Sequence, residues 1–139
     1  VTLITDGDVA GVIHTTDPAT GIDMYIGTGG APEGVLAAAA LRCIGGQMQG
    51  RLILREKEHQ ERAKRMGITD FDRKYTEREM ASGDVVFSAT GVTSGSILDG
   101  IKVEGNAIHT DTIVMRSTTG TSRRIKAKHT NISKFKLDD

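Results

Sequence analysis

A glycine pair, a proline and a glutamate, in the order Gly29-Gly30-Ala31-Pro32-Glu33-Gly34, stand directly before Val35 to Ile44, which is apolar but for Arg42. The pattern predicts a helix from Ala31 to Ile44, stopped by Gly45-Gly46. Proline suits a first helical turn, where its missing N–H would be an orphan donor in any case. Glycines ahead of it let the backbone approach a neighbour closely. The helix start offers free N–H groups and a partial positive charge to an anion. Glu33 adds a hard oxygen able to hold Mg²⁺ or Mn²⁺. Anion and cation sites on one turn would suit phosphate-ester chemistry. An acidic residue at N3 also serves the helix macrodipole, with no ligand at all. From the residues alone the macrodipole reading of Glu33 is the preferred one. The helix is apolar almost all round, so it is expected to be buried.

At 139 residues the chain reads as one domain, long enough to bury about two-thirds of its unfolded surface. Its 18 basic and 18 acidic residues cancel, which removes any global field toward nucleic acid or a membrane surface. Aromatic residues make up 4% of the chain, too few for a base-stacking surface. No apolar run approaches the ~20 residues of a membrane span, and Val1 to Ile4 does not read as a signal peptide. The single cysteine, Cys43, excludes an internal disulfide and reads as a buried, inert thiol. These features lead us to expect a cytoplasmic location.

Periodicity places strands at residues 1–5, Ile22 to Ile26, Val85 to Ala89, Ala107 to His109, Thr112 to Arg116 and Ser122 to His129, and a strand or extended segment at Met48 to Leu54. Gly120 marks a hairpin turn before the last of these. Val9 to His14 reads as a short helix or turn, and Glu56 to Arg65 as a solvated helix with i,i+4 charge pairs. Thr76-Glu77-Arg78-Glu79 matches a capping box opening a short helix to Met80. The polar tail from Thr130 to Asp139 is expected to fray. Strands interleaved with helices predict an α/β layered domain with a mixed sheet. Asp6-Gly7-Asp8, Gly27 to Glu33 and Ala89 to Gly95 each follow an expected strand. They are therefore expected to meet at one edge of the sheet.

Asp6-Gly7-Asp8 can aim two carboxylates at one ligand, either a metal or sugar hydroxyls. The same residues would serve equally as an Asx turn capping the next helix, which is the preferred reading from the residues alone. Ser88, Thr90, Thr93 and Ser94 lie in SATGVTSG, which lacks the lysine of a P-loop; its hydroxyls and N–H groups could contact a phosphate, and the preferred reading is a set of turn formers. Arg116, Arg123, Arg124, Lys126 and Lys128 read as a solvated basic face. The four histidines show no metal-ligand spacing, and no Ser-His-Asp arrangement is legible.

Taken together, GGAPEGV, the upstream DGDVA and the downstream VVFSATGVTSGSILDGI resemble the class II fructose-1,6-bisphosphatases. These are metal-dependent sugar phosphatases of the lithium-sensitive superfamily, and the resemblance runs through nearly the whole chain. It implies the C-terminal domain of a two-domain enzyme, residues 1–139, with an α/β/α sandwich fold. It implies that Asp6, Gly7, Asp8 and Gly30 contact the sugar bisphosphate, and that Glu33 is a ligand to Mg²⁺ or Mn²⁺. Carboxylates suit the sugar hydroxyls better than the phosphates, which they would repel.

The family's other metal-binding carboxylates and its water-positioning group belong to an N-terminal half, marked by a Glu-containing segment and a DP-[IL]-[DE]-G-T motif. Neither occurs here, since Asp17-Pro18 continues as Ala19-Thr20. The resemblance therefore implies a phosphoric monoester hydrolase of gluconeogenesis when completed by that half, with the isolated chain inactive. The implied reaction takes fructose 1,6-bisphosphate to fructose 6-phosphate, and the implied assembly is a homo-oligomer. Alternatives are a dual fructose-1,6/sedoheptulose-1,7-bisphosphatase of carbon fixation and a non-catalytic sugar-phosphate-binding module.

Overall fold

The computed structural model describes residues 1–4 and 8–135. In chain order the elements are α1 (Asp8–His14), α2 (Ala31–Ile44), β1 (Gln49–Arg51), α3 (Lys57–Arg65), β2 (Lys74–Thr76), α4 (Glu77–Met80), β3 (Val86–Thr90), β4 (Lys102–Glu104), β5 (Ala107–Arg116) and β6 (Thr121–His129). Short 3₁₀ turns occupy Pro18–Thr20 and Ile132–Phe135. The first is capped by Asp17, whose side chain accepts from the Ala19 N–H at 2.9 Å.

α2 has the expected boundaries. Gly30 is its N-cap in an extended conformation, and Gly45 ends it at φ 92°, a left-handed stop that glycine adopts without steric cost. α2 is also the centre of the fold. Ala40 and Cys43 pack on Phe87 and Met115 of the sheet. Ala37 and Leu41 pack on Val12 of α1, with Tyr25 and Met48 beside them. Burial keeps the Cys43 thiol largely protonated by raising its pKa, as expected of an inert core cysteine. The expectation that α2 is covered all round holds only for its C-terminal part. Val35 and Leu36, near its start, are exposed.

β5 organises the larger sheet. β6 runs along one edge for its whole length, from Ile108↔His129 to Arg116↔Thr121. The other edge is shared, with β4 opposite Ala107 to His109 and β3 opposite Thr112 to Arg116. β1 and β2 form a separate two-stranded ribbon. Helices and sheet make an α/β fold, as expected. All ladders among the described residues are antiparallel, whereas the sequence reading expected a mixed sheet. Strands joined by hairpins pair in this way, and a parallel neighbour needs a long crossover. The sheet is lined on one face by α2. On the other face Val86, Val103 and Ile125 are exposed, so no second helical layer covers them among the described residues.

Other departures have local causes. Two expected strands, Ala107 to His109 and Thr112 to Arg116, are one. Asp111, a poor strand former, continues the ladder because its buried carboxylate is neutralised from β6. Residues 1–4 and Ile22 to Ile26 join no ladder among the described residues, and Met48 to Leu54 pairs only over Gln49–Arg51. The capping box is present. Thr76 Oγ1 accepts from the Glu79 N–H, and the Glu79 carboxylate accepts from the Thr76 N–H at 2.8 Å. That N–H, together with Arg73 at 2.6 Å, lowers the Glu79 pKa to about 2. α3 is solvated apart from Ala63.

The glycine-rich segment after β3 is a locked turn. A methyl group at Gly91 would overlap the Asp99 carbonyl, and one at Gly100 would overlap the Thr93–Ser94 backbone. Both obstacles are main chain and cannot swing aside. Gly100→Ala is therefore expected to lower stability by about 1–3 kcal/mol, read from urea unfolding. An unchanged urea midpoint would show that the turn can open without cost.

Candidate functional site

The first turn of α2 presents the feature that opened the sequence. Gly30, Ala31, Pro32 and Glu33 are all exposed. Glu33 is the third residue of the helix and its carboxylate folds back over Gly30, so closely that a methyl group there would overlap Glu33 Oε2. Gly30 has φ −68°, which any residue adopts, so its missing side chain matters for space and not for backbone freedom. Among the described residues Glu33 makes no hydrogen bond or ion pair, and its charge faces solvent at the positive end of a fourteen-residue helix. Gly30→Ala is expected to push the carboxylate aside while leaving the thermal midpoint within about 2 °C, because the obstructing atom ends a flexible side chain. Loss of folding in that variant would show that Gly30 has a structural duty.

Two sequence motifs are held together here. Tyr25 lies between Gly11 of α1 and Gly27 ahead of α2. A methyl group at either glycine would press on its side chain, within 2.9 Å of the ring at Gly11. One aromatic thus ties the helix that follows DGD to the loop that leads into Glu33. Sequence reading passed over Tyr25, and its only signal was a lone aromatic flanked by glycine-rich segments. Asp6 and Gly7 lie outside the described residues. Asp8 is the first residue of α1.

Of the three loops expected to meet, only the one after β3 lines a cleft, and Asp6 and Gly7 lie outside the described residues. α1 faces the turn after β3 across a cleft of about 220 Å³, with Val9, Ala10 and Ile13 opposite Thr93, Ile97 and Leu98. Gly30 and Glu33 do not line this cleft, and its walls are mostly apolar, which gives an anionic phosphate no counter-charge. Two hydroxyls of the SATGVTSG segment, those of Thr90 and Ser94, are engaged by neighbouring residues. Thr90 and Thr112 share a hydrogen bond at 2.8 Å, and Ser94 Oγ accepts from the Gly100 N–H at 3.0 Å.

The basic cluster near the end divides in two. Arg124 is committed to Asp111. Its Nε donates to Oδ1 at 2.9 Å and its Nη2 to Oδ2. The Asp99 N–H also donates to Oδ2, at 2.9 Å. Asp111 is only 2% exposed, yet every buried polar side chain among the described residues has a partner. Arg124, and then the Asp99 N–H, lower the Asp111 pKa to about 2. Lys126 pairs with Asp99 at 2.7 Å. Arg116, Arg123 and Lys128 are exposed, as a solvated basic face would be. A second cleft, of about 260 Å³, mixes Lys102, Lys126 and Lys128 with Asp99, Glu104 and Asp111. Its charges largely cancel.

Comparison with known proteins bears on the GGAPEGV helix and the whole chain around it. The model of a family described as "Bacterial fructose-1,6-bisphosphatase, glpX-encoded" matches residues 1–129. The chain belongs to this family. A relative in Crocosphaera subtropica is 40% identical over an alignment of 142 residues, covering 93% of this chain and 41% of the relative. Relatives in a Synechococcus species and in Trichodesmium erythraeum are 39% and 37% identical, with the same coverage. All three are named D-fructose 1,6-bisphosphatase class 2/sedoheptulose 1,7-bisphosphatase. The bisphosphatase-family chain described here thus spans about two-fifths of the length of these relatives.

No group of three or more His, Cys, Asp or Glu able to hold a metal ion occurs among the described residues. Glu33 fits Mg²⁺ or Mn²⁺ as one hard-oxygen ligand, whereas Mg²⁺ takes an octahedral set of about six. One carboxylate could supply one oxygen of such a set, and the described residues around it do not complete one. Among the described residues no helix is long and apolar enough to cross a membrane.

Proposed function

We propose that this chain supplies part of the substrate site and one metal ligand of a bisphosphatase. The enzyme would hydrolyse the 1-phosphate of fructose 1,6-bisphosphate in cytoplasmic gluconeogenesis. In the overall reaction the P–O bond to C1 breaks, water supplies the new oxygen on phosphorus, and the C1 oxygen leaves as an alcohol. The observation that carries the reading is a family match across residues 1–129 that includes a solvent-facing, uncommitted Glu33. Glu33 would hold Mg²⁺ or Mn²⁺, which when bound offsets charge building on the phosphoryl oxygens. Asp6, Gly7 and Asp8 would orient the sugar through its hydroxyls, and Gly30 would let the ligand approach the start of α2. The remaining metal ligands and the water-positioning group would come from the polypeptide that the relatives possess beyond the match, in a homo-oligomer.

A chimera tests this, with the present chain replacing the matched segment of the Crocosphaera relative. With Mn²⁺ it should release phosphate from fructose 1,6-bisphosphate, and the 139-residue chain alone should not. Release by the short chain alone would show a complete site within it. Silence in both, with tight metal-independent binding of the sugar bisphosphate by calorimetry, would favour a binding module. The relatives' shared double name favours a second substrate, sedoheptulose 1,7-bisphosphate. Assaying both substrates on the chimera decides it.

A further inference from the structure

The segment before the candidate site has the side-chain pattern of a sheet strand and the surface of an unfinished one. Ile22, Met24 and Ile26 alternate along it, and all three are exposed, Met24 at 72% and Ile26 at 86%. Tyr25, between them in sequence, is turned the other way. It packs on the cluster of Val12, Ala37 and Leu41. The segment therefore has an inner side seated on α1 and α2 and an outer side that is an apolar row. Val35 and Leu36, next to Ala37 on α2, are exposed as well. So are Leu3 and Ile4, and the Ile4 side chain approaches Gly11 close to the Tyr25 ring. Exposed apolar side chains are thus frequent on α2 and on the segments that lead into α1 and α2.

We infer that Ile22 to Ile26 is a seam strand. In this reading the outer row of Ile22, Met24 and Ile26 is covered by an apolar face of the bisphosphatase polypeptide that lies outside this chain. Length supports that occupant over a second copy, since about three-fifths of each relative has no counterpart here. Position supports it too. The segment runs into Gly27 to Gly30 and so to Glu33 within a few residues, so an element docked there arrives near Glu33. A layer packed on that face would take the outer row out of water, which pairing at the segment's edge does not do, because side chains stand out of the plane in which strands pair. The inference rests on the proposed half-site and names where its other half attaches.

Thiol footprinting tests it. Met24→Cys and Ile26→Cys are made separately with Cys43→Ala, in the 139-residue chain and in the chimera, with Thr119→Cys in the β5–β6 turn as a reference. In the chain alone the thiols at 24 and 26 should react at the rate of the reference. In the chimera they should react at least tenfold more slowly while the reference is unchanged. Equal rates in both contexts would overturn the seam. So would slow labelling in the chain alone that speeds up on dilution, because a second copy would then be the cover. Hydrogen exchange on the unsubstituted proteins repeats the comparison at residues 22–26 without any substitution. Labelling does not require turnover. A protected but inactive chimera upholds the seam and sinks the bisphosphatase reading, and an active chimera with fast labelling sinks the seam alone.

Discussion

Glu33→Gln in the chimera is expected to cut phosphate release from fructose 1,6-bisphosphate by about 10²-fold or more, with the fold intact. The substitution keeps size and removes one negative charge. Glu33 is exposed and, among the described residues, engages no partner, so folding loses only a weak macrodipole contribution. A metal ligand behaves differently, because a neutral amide holds Mg²⁺ or Mn²⁺ far less well than a carboxylate. Raising Mn²⁺ should therefore recover part of the lost rate, while circular dichroism melts of the two proteins overlay. Turnover that stays at the parental level and remains metal-dependent would remove Glu33 from the mechanism and leave it a helix-start residue.

The largest stability effect is expected at Arg124. Arg124→Met strands a carboxylate that is 2% exposed, and the thermal midpoint at pH 7 should fall by roughly 10 °C. The effect carries a pH signature. The Asp111 pKa is about 2 in the folded chain against an ordinary 3.8, so it is depressed by folding. A depressed carboxylate adds stability that is fully present above the unfolded value and is lost as pH falls through the folded one. The gap between the two proteins should therefore be widest near neutrality and narrow from about pH 3.8 to pH 2. Melts at pH 7, 5, 3 and 2 read it directly. A gap that stays constant down to pH 2 would mean that Arg124 acts by packing, through its aliphatic stem, and not through the Asp111 charge.

Particular elements show where sequence reading reaches and where it stops. α2, the Thr76 capping box and the Gly120 turn, which sits at φ 57°, were legible because each depends on residues within one helical turn or one hairpin. β5 was split by its Thr110-Asp111 pair, and only the partner from β6 makes that carboxylate compatible with a strand. Ile22 to Ile26 carries a strand's alternation and has no ladder among the described residues. Alternation records which side of a segment is to be covered and not what covers it. Glu33 was picked out by its position at a helix start, yet its relation to Gly30 became visible only in three dimensions. Tyr25, which ties the two motif-bearing segments together, left almost no local signal.

By itself, the sequence determined the helix that carries Glu33, the turns that end the main elements and the family to which the chain belongs. These rest on short-range rules or on strings of adjacent residues. Only the tertiary structure decided that Asp111 is buried and charged, that one tyrosine bridges α1 and the loop before α2, and that the apolar row at Ile22 to Ile26 faces outward. Each of these depends on which distant segment arrives at a side chain, and burial, charge neutralisation and apolar cover are properties of that meeting and not of either segment alone.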